Sequence, residues 1–235
     1  IRGLEQSDKN VQDGISLVQT AEGALGEAGD IVQRMRELGV QAGNSTLNDA
    51  DRDNINAELN QLGEELMKIS GETKFNDKHI LTGDDFTIQS GANSETRKIT
   101  GVDLKDILTT TQGNANAGLL DGADIDLDSG EVTGVSIDLA DEATAQSFVA
   151  DANATLEAIT TARATLGAQQ NRLEATSSNL STSIENLTTA ESRIRDVDVA
   201  KEMVQLSKMN LLTQTSQAMV AQAKSQPENV MSLLR

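Results

Sequence analysis

The sequence predicts a mainly α protein with a small β part: long antiparallel helices forming a rod-like bundle, β-hairpins at one end, and an amphipathic C-terminal helical tail. Three observations carry this expectation. A seven-residue hydrophobic beat runs through Leu4, Val11, Val18, Leu25 and Val32, and it returns in Ile159, Leu166, Leu173, Leu180, Leu187 and Ile194. Such a repeat keeps one side chain per two turns on a single seam, the geometry of helices packed lengthwise. Aromatic residues make up 1% of the 235, with neither Trp nor Tyr, which argues against a thick core built on rings and suits helices whose core is a seam. The one proline, Pro227, stands almost at the end and leaves the long segments unbroken.

The first helix is expected over residues 1 to about 43, ended by Gly39, Gly43 and the Asn44 to Thr46 stretch. Asn48 is a candidate N-cap for a second helix, with Asp49, Asp51 and Asp53 where the helix dipole favours negative charge. Its face of Ile55, Leu59, Leu62, Leu66 and Ile69 folds it back on the first. From Phe75 to about Leu108 the period shifts towards two. The runs His79-Ile80-Leu81, Phe86 to Gln89 and Arg97 to Thr100, separated by Gly83-Asp84-Asp85 and Gly91-Ala92-Asn93, read as hairpins. Residues 109–141 are rich in Thr, Gly, Asn and Asp, with a β-like run from Val132 to Leu139, and read as a loop-and-strand insertion. Asp141 is the expected cap of a third helix running from about Ala143 to Leu187 or beyond. Positions three beyond its seam (Ala162, Gln169, Thr176, Ser183, Ala190) are small or polar, so its stripe is one residue wide. These boundaries divide the chain into 1–108, 109–141, 142–197 and 198–235.

A formal charge of −18 argues against nucleic acid, whose binding draws on clustered Lys and Arg. No run of about 18 apolar residues exists for membrane insertion. Zero cysteines remove disulfides, thiolate metal sites and thiol catalysis. His79 is the only histidine, so neither a His-Glu-x-x-His zinc site nor a Ser-His-Asp relay can be assembled, and it reads as a strand or turn residue. Asp124, Asp126 and Asp128 open like a calcium loop, but Ser129 replaces the turn glycine and Val135 stands where a bidentate Glu is needed; the better reading is a solvated acidic loop. No cofactor is expected. Asn44-Ser45-Thr46 has the form of a glycosylation acceptor. The chain opens on Ile1 in mid-helical pattern, which reads as a shortened front, and it lacks the features of a signal peptide.

Several word-like stretches occur in order: Asp13 to Ser16, Gln19 to Leu25, Gln33 to Gln41, Phe75-Asn76, Ala190 to Asp198, Gln214 to Met219 and the Ser232 to Arg235 end. Over about 1–100 and 143–235 the chain closely resembles bacterial flagellin. The resemblance implies a structural, self-assembling subunit of the flagellar filament, partnered by other flagellin subunits, secreted to the extracellular flagellum after a cytoplasmic stage. It implies that 1–108 and 142–197 are the two parts of the rod domain. It also implies a missing N-terminal core helix, the natural partner of the tail. The tail, 198–235, would be the core and export-chaperone segment, through Met203, Val204, Leu206, Leu211, Leu212, Met219, Val220, Val230, Leu233 and Leu234. Four of the six methionines lie there, a residue suited to surfaces with more than one partner. An innate immune receptor would be met through Arg34, Leu38, Gln41 and Glu58; read as residues alone, this is a charged helix face. Some flagellins carry an inserted peptidase, but the short middle and single histidine count against an enzyme.

Overall fold

The computed structural model describes residues 1–110, 119–120, 122–127, 131–196 and 198–233, of which 225–233 by backbone alone. The chain divides into two compact units, 1–184 and 185–235.

The first unit is built on α1 (Arg2–Ala42), α2 (Asp49–Glu72) and the greater part of α4 (Glu142–Arg195). On α1 the predicted seam is completely buried at Val11, Val18, Leu25 and Val32. A second buried row accompanies it: Ser7, Gly14, Ala21, Ala28, Met35 and Ala42. The two rows alternate by three and four residues, so α1 presents a wide face and is covered by more than one neighbour. On α4 the buried positions Ile159, Leu166, Leu173 and Leu180 stay seven apart, the narrow stripe expected.

The two helices run antiparallel. Ala145 lies beside Gly43, Phe148 and Val149 abut Gly39, Ile159 approaches Gly29, Arg163 reaches Glu22 at 3.8 Å, and Ser177 donates to Asp8 at 2.6 Å. Gly39 does not end α1, as the sequence led us to expect. A β-carbon there would meet the Phe148 ring at 2.8 Å, so the glycine sits inside the helix to admit α4.

The turn into α2 is held by the predicted cap. The Asn48 side chain accepts from the Asp51 amide at 2.8 Å, and the Asp51 carboxylate returns to the Asn48 amide at 3.4 Å, a reciprocal box that satisfies two free helix-end donors. Arg52 donates to the Ala42 carbonyl at 2.7 Å and closes the α1–α2 corner.

The hairpins differ in pairing from the expectation. β1 (Lys74–Phe75) pairs with β2 (Lys78–His79), around Asn76 and Asp77 at φ 51° and 62°. Two consecutive left-handed residues are what the tightest hairpin loop needs, and Asn and Asp tolerate them. His79 is therefore partnered upstream, and Ile80 and Leu81 turn into the core instead of pairing with Phe86 to Gln89. β3 (Phe86–Gln89) pairs with β4 (Thr96–Ile99) in the register Phe86↔Ile99 to Gln89↔Thr96. This hairpin lies on the first half of α1: a β-carbon at Gly14 would overlap Ile88, and Asn10 donates to the Gln89 carbonyl at 3.3 Å. A short helix, α3 (Leu104–Thr109), capped by Asp103, stands where the sequence predicts the end of the hairpin region; six residues are too few to show a period.

The following stretch includes the paired β5 (Asp124–Ile125) and β6 (Val132–Thr133). Of the expected run from Val132 to Leu139, only the first two residues are strand. The rest forms a strap along α2. Ile125 fills the space over Gly71, Leu120 and Val135 sit over Gly63, and Asn60 brackets Ile137, accepting from its amide at 2.7 Å and donating to its carbonyl at 3.3 Å. Asn56 then accepts from the Leu139 amide at 3.1 Å. The strap climbs α2 towards its N-terminus and delivers the chain to the start of α4. There the Thr144 hydroxyl, not an Asp141 carboxylate, binds the main chain of Asp141.

The second unit holds the end of α4 and α5 (Val199–Leu233), whose backbone continues as helix through Pro227. The expected seam does not remain covered here: Leu187 and Ile194 are exposed.

Candidate functional site

Two surfaces follow from this framework. The first is the flank where α1 meets α2. Arg34 forks onto Glu58, with Nη2 at 2.9 Å and Nε at 3.2 Å from one carboxylate oxygen, while Nη1 reaches Glu37 at 3.2 Å. The hydrogen bonds to Glu58, then to Glu37, hold the guanidinium even more firmly protonated than usual. One planar cation thus ties the two helices at the surface, with Gln41 exposed nearby in sequence. Leu38 does not join them. It is 2% exposed, because α1 is covered on a wide face and position 38 falls within it. This corrects its place among the expected surface contacts.

The second surface is α5. Met203, Val204, Leu206, Met209, Leu211, Leu212, Met219 and Val220 are all exposed, from 52% to 69%. Met203-Val204, Leu211-Leu212 and Met219-Val220 recur every eight residues. Eight residues overshoot two helical turns by about 80°, so the apolar stripe winds around the helix axis. Met203, Val204, Leu211 and Leu212 line one open shallow face with Ser207, Lys208 and Thr215. Val230 and Leu233 belong to the stretch described by backbone alone, and Leu234 lies outside the described residues.

The remaining candidates have structural partners. His79 Nδ1 lies 2.5 Å from the Gly71 carbonyl and helps close the end of α2. Asp124 binds the Lys105 ammonium at 2.6 Å and accepts from the Ile125 amide, and these contacts, the lysine first, hold its carboxyl below the usual range. Asp128 lies outside the described residues. Among the described residues, no cluster of His, Cys, Asp or Glu has metal-holding geometry, and no helix is long and apolar enough to cross a membrane.

A framework of paired long helices with a bare apolar helix is matched on both sides of the strap. Residues 1–85 match the bacterial flagellin N-terminal helical region, and residues 149–234 match the bacterial flagellin C-terminal helical region. The chain belongs to the bacterial flagellin family. A flagellin of Halalkalibacterium halodurans is 45% identical over 240 residues, covering 100% of this chain and 80% of that one. A Bacillus subtilis flagellin is 46% identical over 253 residues, covering 100% and 82%. The crystal structure of Bacillus cereus flagellin superposes with a TM-score of 0.57 at 30% identity, over 78% of this chain and 94% of that one. A hook-associated protein structure from Vibrio parahaemolyticus, at 12% identity and TM-score 0.64, shares the fold.

Flagellin is a structural protein, not an enzyme, and this chain is a subunit of the extracellular flagellar filament, with other flagellin subunits as its expected partners. The N-terminal flagellin match begins at residue 1 and gives no support to the expectation of a lost core helix.

Proposed function

We propose that the chain assembles into the filament through its terminal helices, and that α5 is the segment an export chaperone holds in the cytoplasm beforehand. The carrying observation is the exposed apolar run from Met203 to Val220. Leaving a large apolar side chain in water forgoes about 1.5–3 kcal/mol of burial, which a partner helix or a chaperone would recover. On this reading 1–108 and 142–197 form the rod domain, 109–141 its insertion and 198–235 the core and chaperone segment. The test is titration of the full chain and of a chain lacking 198–235 against a flagellin export chaperone. Binding lost with the tail supports the proposal; undiminished binding sinks it.

We also infer a role for the charged flank in recognition by an innate immune receptor, through Arg34, Gln41 and Glu58. Supporting it is the exposure of the Arg34–Glu58 pair, whose side chains keep 51% and 46% of their accessible surface. Arg34→Ala and Glu58→Ala are expected to weaken receptor activation while circular dichroism stays unchanged, since an interface arginine typically contributes about 2 kcal/mol or more. Full signalling by both variants would remove the flank from consideration. Leu38 would act only by packing beneath it.

A further inference from the structure

Five of the six methionines have described side chains, and these occupy two opposite environments. Met35 of α1 and Met67 of α2 are completely buried in the core of the first unit. Met203, Met209 and Met219 of α5 keep 55%, 66% and 68% of their surface exposed. Their placement on α5 is also particular. Met203 and Met219 open two of the three apolar pairs that recur along the helix, and Met209 stands three residues before Leu212, beside it on the helix surface. A thioether packs as an apolar group, yet it becomes polar on gaining a single oxygen atom. In a chain with neither cysteine nor tryptophan, these three exposed sulfurs are the groups a mild oxidant meets first.

We propose that Met203, Met209 and Met219 form an oxidation-sensitive switch on α5: in an unassembled chain they take oxygen from a hydroperoxide, and as sulfoxides they keep the helix from being covered by a partner. Each sulfur attacks one peroxide oxygen, an S–O bond forms, the O–O bond breaks, and after a proton shift water or an alcohol leaves. The sulfur is oxidised by two electrons and the peroxide is reduced by two. The new oxygen is a hydrogen-bond acceptor, and on the face of Met203 the hydroxyl of Ser207, one turn along, and the Lys208 ammonium are donors that suit it. Two of the three apolar pairs are thereby broken, and the surface favours water over a dry helix contact. The step is reversible, because sulfoxide reductases return the thioether. The inference rests on the reading of α5 as the segment covered in the filament, and it adds a chemical control over that covering.

The test treats the full chain with hydrogen peroxide and maps the added oxygen by mass spectrometry of its peptides. Met203, Met209 and Met219 are expected to be oxidised while Met35 and Met67 remain thioethers. Growth of the oxidised chain on filament seeds should fall about tenfold or more, the loss of burying one methionine, and sulfoxide reductase should restore it. A chain carrying Met203→Leu, Met209→Leu and Met219→Leu keeps the apolar surface and should grow equally with and without peroxide. Equal oxidation of buried and tail methionines, undiminished growth of the oxidised chain, or peroxide sensitivity in the leucine variant would overturn the proposal. Binding of the apolar dye ANS to the free chain is read without seeds and should drop on oxidation. An untreated chain that fails to grow therefore counts against the assembly reading alone, and undiminished dye binding would then sink the switch.

Discussion

Gly39 shows how one missing β-carbon sets the distance between two helices. An alanine there improves helix propensity by about 1 kcal/mol in isolation, yet its β-carbon would lie 2.8 Å from the Phe148 ring and 3.0 Å from Val149. Both neighbours are stiff and borne on a helix, so overpacking, at about 1–3 kcal/mol, should win. Gly39→Ala is therefore expected to lower the denaturant midpoint of the first unit; a rise would refute the close-packing account. Asp151 argues in the opposite direction. It is half-buried on α4, and desolvation pushes its carboxyl above the usual range. A carboxylate whose folded pKa is raised favours folding while protonated and opposes it once pH climbs past its unfolded value near 3.8. Asp151→Asn should therefore stabilise the protein at neutral pH, and the advantage should shrink to nothing as pH falls below about 4. A gain independent of pH would point to packing instead of charge.

At the scale of the element, the strap depends on asparagine. Asn60 serves both main-chain groups of Ile137, so Asn60→Ala leaves an amide and a carbonyl short of partners, at about 1–3 kcal/mol. Hydrogen exchange is expected to report faster exchange at the Ile137 amide, with the α1 seam still protected; loss of protection everywhere would show the strap to be inseparable from the bundle. The contrast in legibility follows from the same chemistry. The seams of α1 and α4 were readable because large apolar residues recur at a fixed interval, and Asn48 because a cap is a local pattern. The companion row of Ser7, Gly14, Ala21 and Ala28 is not legible, because small residues carry no hydrophobic signal, although their smallness lets neighbours approach. Gly63, Gly71 and Asn60 could not be read as a binding track, since each contact is made once and repeats nowhere. Of the charged flank, Arg34 and Glu58 were legible as surface groups. Leu38 was not legible as core, because its burial depends on how wide a face of α1 is covered.

For the molecule as a whole, the two units carry their stability differently. The first buries the rows described along α1, α2 and α4, while every described α5 side chain before residue 225 is exposed. Removing 198–235 should therefore leave the melting temperature of the first unit within about 2 °C of the full chain, as expected for a change that touches no buried group. A large drop would mean that the tail packs where its exposure says it does not.

The Ser177–Asp8 hydrogen bond joins residues 169 positions apart, and the whole α1–α4 ladder shares that remoteness. Contacts so distant in sequence close late and slow the search for the native arrangement. A ribosome adding about 5–20 residues per second leaves α1 waiting roughly 10–30 s before its partner helix emerges. Through that interval Val11, Val18, Leu25 and Val32 have no α4 to cover them. Until α4 is made, the α1 seam has only α2 and the β3–β4 hairpin to lie against, so the bundle cannot close before most of the chain has left the ribosome.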